Sequence, residues 1–213
     1  MMEKHKTVSY IETDTPPLIL LVGPSGSGKS TVADILHEKY GLSVVQSYTT
    51  RPQRTPDERG HLFVSKQRFD QLTNLVAYTK FNGYEYCATQ SQVDCNDIYI
   101  IDPDGISYFR DTYDSNRPYV VVNIYARPSK CFERMIRRGD SEQKATDRIN
   151  HDRSIYYFPE KPWDFDIKVN SEYTSPQALA LCILTLTGYP ITIAFNMDNC
   201  PHIVCQNNLP ILK

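Results

Sequence analysis

No apolar run in this chain approaches the roughly 18 residues that a membrane-crossing helix needs, so no segment reads as a membrane anchor. A surplus of positive charge is missing too. Lys and Arg number 23 against 25 Asp and Glu, a formal net charge of -2, which argues against a general nucleic-acid binder. None of the six cysteines forms a C-x-x-C pair, which removes the usual zinc-ribbon and dithiol redox patterns. Cys200 and Cys205 bracket His202, but two further ligands at suitable spacing are missing, and no metal is expected there. The first residues lack the apolar core and the small-residue cleavage site of a secretory signal. The cysteines therefore read as reduced thiols, and the expected location is cytoplasmic. Internal repeats and low-complexity tracts are also absent.

What is present is ordinary globular composition, 40% hydrophobic and 23% charged over 213 residues, enough for one domain with an appendage. The short apolar run 18–22 (LILLV) lies between Pro17 and Gly23 and reads as a buried parallel strand. Residues 30–40 follow as an amphipathic helix that Gly41 ends. Val44 and Val45 suggest a second short strand. Residues 47–97 break this rhythm with scattered aromatics, arginines and polar residues. They read as an inserted region of short strands and loops, with a possible helix over 66–75. Strands are then expected at 98–101, 119–125 and 165–169. Helices are expected at 105–111, 129–138, 142–157 and 177–186, and a hairpin from 191–195 and 202–206. Such alternation predicts an α/β fold, an open parallel sheet with helices on both faces. Sheets of this kind bind ligands at the carboxyl ends of their strands, where Gly23, Asp102 and the loop after Tyr125 fall.

Residues Gly23-Pro24-Ser25-Gly26-Ser27-Gly28-Lys29-Ser30 fit the phosphate-binding pattern G-x-x-x-x-G-K-[ST] in full. Glycines let the backbone curl so that successive N–H groups converge on phosphate oxygens, and the following helix offers its positive end to the same anion. Lys29 supplies a point charge to the β- and γ-phosphates. The Ser30 hydroxyl suits Mg²⁺ bridging those phosphates. The expected ATP-binding residues are Gly23, Ser25, Gly26, Ser27, Gly28, Lys29, Ser30 and Thr31, with Ser30 the metal ligand. The bland alternative is a glycine-rich turn with a solvated lysine. An apolar strand before and an amphipathic helix after it weigh against that.

Beyond this loop come Ser47-Tyr48-Thr49-Thr50-Arg51-Pro52-Gln53-Arg54, Gly60-His61-Leu62-Phe63-Val64 and Phe81-Asn82-Gly83-Tyr84-Glu85-Tyr86. Asp102-Pro103-Asp104-Gly105, Arg134 to Gly139, Arg148 and Val169-Asn170 follow. On these residues the chain resembles the guanylate kinase family of P-loop nucleoside monophosphate kinases, from about residue 17 to 188. The resemblance implies a P-loop NTPase-type core with an acceptor-binding region at 47–97 and a lid at 134–153. Residues 189–213 would be a C-terminal extension of unassigned role. It also implies ATP as donor, Mg²⁺, and GMP or dGMP as acceptor, with no nucleic-acid or membrane partner. Arg51 and Arg54 would hold the acceptor phosphate, which paired guanidinium forks suit chemically. Tyr86 would donate to the same phosphate, Ser47 would contact the base, and Asp102 would orient the base or water around Mg²⁺. Arg134, Arg138 and Arg148 would close over the ATP phosphates and neutralise transferring charge. Lys29, Arg51, Arg134, Arg138 and Arg148 are thus the expected catalytic set. Core packing for Tyr86 and helix capping for Asp102 stand beside these roles.

The sequence departs from the family where the base is read. His61 stands where the family has a tyrosine, and it can still donate to phosphate. Ala77 stands where the family's base-reading glutamate falls, and Ala88 where a hydroxyl is expected. Thr89 and Glu85 are the nearby candidates for replacing the lost hydroxyl and carboxylate. Phosphate capture keeps its parts, so two further readings remain. One is a kinase of another phosphorylated acceptor such as ribose 1,5-bisphosphate. The other is a non-catalytic guanylate kinase-like binding module, against which the intact P-loop argues.

Overall fold

All five residues of β1 (Leu18–Val22) have no exposed surface, which a strand achieves only when both faces of its sheet are covered. In the computed structural model, residues 15–53, 56, 58, 60–81, 83–158, 163–189, 191–196 and 200–205 are described, the last two stretches for backbone alone. β1 pairs in parallel with β6 (Ile98–Ile100) on one side and β7 (Tyr119–Tyr125) on the other. β8 (Ile167–Asn170) extends the sheet in parallel beside β7. The order is β6-β1-β7-β8. Alternate side chains of β1 feed two cores. Ile19 and Leu21 pack with α1 (Lys29–Tyr40) and α7 (Pro176–Leu186). Leu18, Leu20 and Val22 pack with Ile106 and Phe109 of α4 (Pro103–Thr112) and with the inserted region.

That insert is a second sheet, ordered β3-β2-β5-β4, from β2 (Ser47–Thr49), β3 (His61–Phe63), β4 (Leu75–Phe81) and β5 (Tyr84–Thr89). Its Val76, Ala77 and Ala88 join the core under α4. Two short helices complete it, α2 (Lys66–Phe69) and α3 (Gln90–Asp94). The expected helix over 66–75 is therefore four residues long. Asn74 takes a positive φ of 54°, and the chain leaves as β4 at Leu75. Val44 and Val45 form no strand, only one parallel bridge from Val44 to Ile98.

The chain after β7 wraps a third, small core. Cys131 and Met135 of α5 (Pro128–Arg137) meet Ala145 and Ile149 of α6 (Glu142–Asp152). The helix expected over 142–157 changes character at its end: Arg153–Tyr157 is a π-helical turn. Such wide turns gather at functional sites. Ser175 caps α7 and Pro176 opens it, as the Ser-Pro signal indicates. Strands β9 (Ile191–Asn196) and β10 (Cys200–Cys205) pair antiparallel, the expected hairpin shifted by one or two residues. The side chains of Cys200, His202 and Cys205 lie outside the described residues. The other four cysteines are free thiols. Among the described residues no helix is long and apolar enough to cross a membrane.

Phe109 is fully buried and stacks on Tyr113 at 4.4 Å, with Tyr119 edge-on at 5.2 Å. Phe109→Ala should lower the unfolding free energy by about 3–5 kcal/mol, read from the urea midpoint. A loss below about 1 kcal/mol would mean that α4 is not anchored through this ring.

Candidate phosphate-transfer site

The turn after β1 must curl tightly, and its glycines show why. A Cβ on Gly23 (φ 147°) would fall 2.1 Å from the Ile124 carbonyl oxygen of β7, and one on Gly26 (φ 77°) 2.5 Å from the Cys131 carbonyl oxygen. The loop thus lies against backbone on both sides, and neither contact leaves room for a side chain. Arg134 braces it from α5, donating to the carbonyls of Gly26 (3.3 Å) and Ser27 (3.2 Å) and to the Ser171 hydroxyl (2.9 Å). Ser171 in turn donates to the Ser27 carbonyl at 2.7 Å.

Lys29 opens α1 with its side chain folded back over the loop. Its ammonium donates to the carbonyls of Gly23 (2.6 Å) and Pro24 (3.0 Å). Burial strips its solvent and pushes the pKa down to about 8, against the opposing pull of the Asp152 carboxylate. The backbone N–H of Ser25 donates to Asp152 Oδ2 at 2.6 Å.

Two cavities meet here. The first, about 540 Å³, is lined by residues 25–32 of the loop and helix start, by Arg134, Arg138 and Arg148, and by Ser171. The expected ATP-binding residues Ser25, Gly26, Ser27, Gly28, Lys29, Ser30 and Thr31 all face it. Arg138 and Arg148 share one carboxylate, Asp140, Arg148 at 3.3 Å. The second cavity, about 370 Å³, lies between the parallel sheet and the insert. Gly23, Ser47, His61, Tyr86 and Asp102 line it together, with Ala77 among the walls. Ser25 and Lys29 border both cavities.

Inside the second cavity Ser47 Oγ bonds His61 Nδ1 at 2.9 Å, and His61 lies edge-on to Tyr86 at 5.6 Å. Asp102 caps α4 by accepting from the Gly105 N–H at 2.6 Å while still facing the cavity. Capping and site exposure thus coexist in one carboxylate. Burial raises its pKa, with the Gly105 bond opposing.

Three expected placements come out differently. Arg51 stands behind the cavity lining, against Tyr86, which does line it. It is buried under Phe63, and its guanidinium forms a two-pronged pair with Glu58 at 2.8 and 3.1 Å. A buried cation without an anion is costly, and Glu58 supplies one. Arg54 lies outside the described residues. Neither candidate substitute faces the base wall. The Thr89 hydroxyl accepts from the Gln92 N–H in a capping box on α3. Glu85 is engaged by Lys66 at 2.5 Å and by the Tyr78 hydroxyl at 2.7 Å, and these bonds hold its pKa low. Ala77 and Ala88 are themselves core residues, 2% and 0% exposed, and neither offers a polar group to a ligand.

Two residues at the site escaped the sequence reading. Asp152 lies one helical turn past Arg148, and the i, i+4 rule places it on that face. Ser171 follows β8 directly, at a strand's carboxyl end.

Comparison with known proteins bears on the fold and the family. The AAA domain family model matches residues 19–156, well over half of the chain. Guanylate kinase of Mycoplasmopsis pulmonis is 27% identical over 152 residues, 62% of this chain and 76% of that protein. Guanylate kinase of Fusobacterium nucleatum subsp. nucleatum is 29% identical over 82 residues, 36% of this chain, and the match spans only 44% of that protein's length. The crystal structure of guanylate kinase from Anaplasma phagocytophilum superposes with a TM-score of 0.53 at 19% identity, covering 82% of this chain and 86% of that one. At that identity the superposition speaks for the fold alone. The P-loop, the parallel sheet and the AAA domain match define the class: an α/β P-loop NTPase. By that match the chain belongs to the AAA domain family, and within the class it is similar to guanylate kinases.

The position of Lys29 sets a pH test. Below about 8 the ammonium is charged and suits an anion; above it the charge is lost. ADP affinity should fall as pH rises through that value. Near pH 9, binding should take up a proton, because phosphate restores the ammonium. Calorimetry in buffers of different ionisation enthalpy reads both effects. Binding at pH 9 without proton uptake would show that Lys29 does not meet the phosphates.

Proposed function

We propose that the chain transfers the γ-phosphoryl group of ATP to the phosphate of a nucleoside monophosphate, with GMP and dGMP as first candidates. The observation that carries this reading is the meeting of two cavities at Lys29 and Ser25. A donor held on one side and an acceptor on the other react there by direct displacement, without a covalent enzyme intermediate. The acceptor phosphate is already a nucleophile, so no side-chain base is required.

On this reading Gly26 to Thr31 cradle the donor phosphates, and Lys29 neutralises charge at the seam. Arg138 and Arg148 exchange Asp140 for phosphate as the lid closes. Arg134 acts through the loop it braces. Ser47, His61 and Tyr86 receive the acceptor, and Asp102 orients its base. Arg51 reaches the acceptor phosphate only by leaving Glu58, and Arg54 is assigned to the same phosphate. The Ser30 hydroxyl, an oxygen donor beside the cradle, fits Mg²⁺ carried in by the nucleotide. Among the described residues no group of three His, Cys, Asp or Glu side chains could hold a metal ion. When bound, Mg²⁺ supplies charge neutralisation between the phosphates.

The lack of a carboxylate at Ala77 favours one alternative, a phosphorylated acceptor without guanine, such as ribose 1,5-bisphosphate. An ADP-release assay against GMP, dGMP, AMP, CMP, UMP and ribose 1,5-bisphosphate separates the two. Turnover confined to GMP and dGMP is expected. Turnover with another acceptor keeps the kinase and retires guanine. Lys29→Ala should lower kcat at least about 10²-fold with the fold intact. Unchanged turnover in the folded variant would refute its role.

A further inference from the structure

Asp152 is a carboxylate that the transfer scheme above does not use. It is 5% exposed, ends α6 and directly precedes the π-helical turn. Its Oδ2 accepts the Ser25 N–H at 2.6 Å, and its charge acts on the buried Lys29 ammonium. Ser25 and Lys29 are the residues that border both cavities. The carboxylate therefore sits at the seam, on a backbone N–H of the phosphate loop, with the chemistry of a phosphate oxygen pair.

We infer that Asp152 occupies the seat of the donor's terminal phosphate and so sets how the site discriminates nucleoside triphosphate from diphosphate. The inference rests on the donor reading of the first cavity. For transfer into the second cavity, the terminal phosphate has to reach the seam. There it meets the carboxylate and displaces it from the Ser25 N–H. A diphosphate ends one phosphate earlier, over Gly26 to Thr31, and leaves the Asp152 contact in place. Two anions drawn to one N–H donor repel each other at hydrogen-bond distance. The cost of moving Asp152 therefore falls on the triphosphate alone. The π-helical turn at Arg153–Tyr157 is the wide segment through which Asp152 can withdraw. By this device an internal carboxylate answers the Ser25 N–H of the loop, and triphosphate entry is coupled to movement of the end of α6.

The test is calorimetric titration of the full chain with ADP and with the non-hydrolysable imido analogue of ATP, both with Mg²⁺. Wild type is compared with Asp152→Asn, which keeps the shape and removes the charge, and with Asp152→Ala. Both variants should bind the triphosphate analogue about tenfold tighter, the scale of one charge-assisted hydrogen bond, and ADP within about twofold of wild type. Equal shifts for the two ligands, or weaker triphosphate binding in both variants, would overturn the inference while leaving the donor site standing. Failure of wild type and variants alike to bind either nucleotide would overturn it together with the donor reading.

Discussion

The end of β1 is built to demand an anion. The loop from Gly23 to Ser30 converges on one point with an ammonium stripped of water, whose pKa falls to about 8. In a low-dielectric cleft such positive charge has to be answered. The chain answers it with its own carboxylates. Asp152 takes the Ser25 N–H, Asp140 takes Arg138 and Arg148, and Glu58 takes Arg51. Each stands on a cation or donor that the family resemblance gives to phosphate. Ligand binding is then an exchange of internal anions for external ones. Its free energy is a difference between two well-paired states, not the full strength of any contact.

The fold makes this concentration of charge possible by rigidity elsewhere. Gly23 presses on the Ile124 carbonyl of β7, and Gly26 on the Cys131 carbonyl of α5. Arg134 and Ser171 tie the loop to α5 and to the end of β8. The cradle is thus held by three elements besides its own strand and helix. The paired carboxylates lie outside that braced cradle. Asp140 precedes α6, Asp152 ends it, and Glu58 sits between β2 and β3.

Most of the core architecture was legible in the sequence because its signals are local. LILLV has no polar residue to place at a surface, and Ser175-Pro176 and Gly41 mark helix ends chemically. The P-loop was legible for the same reason. Pairings that depend on tertiary context were not. Nothing near Lys66 announces that its helix ends after four residues and yields to a strand at Leu75. The fate of Arg51 depended on Glu58, seven residues away across a turn. Thr89 and Glu85 looked available by position, yet one is a helix cap and the other is held by Lys66 and Tyr78. Asp152 left only a faint trace, its spacing from Arg148.

The proposed transfer needs the two cavities to share one seam at Ser25 and Lys29. A bisubstrate compound, adenosine and guanosine joined by five phosphates, tests it most directly. Titrated into the full chain, it should bind once per chain, exclude both ATP and GMP, and exceed the affinity of either by about 10²-fold or more, since the second contact is then intramolecular. Binding no tighter than ATP, with GMP still able to enter, would contradict a shared seam.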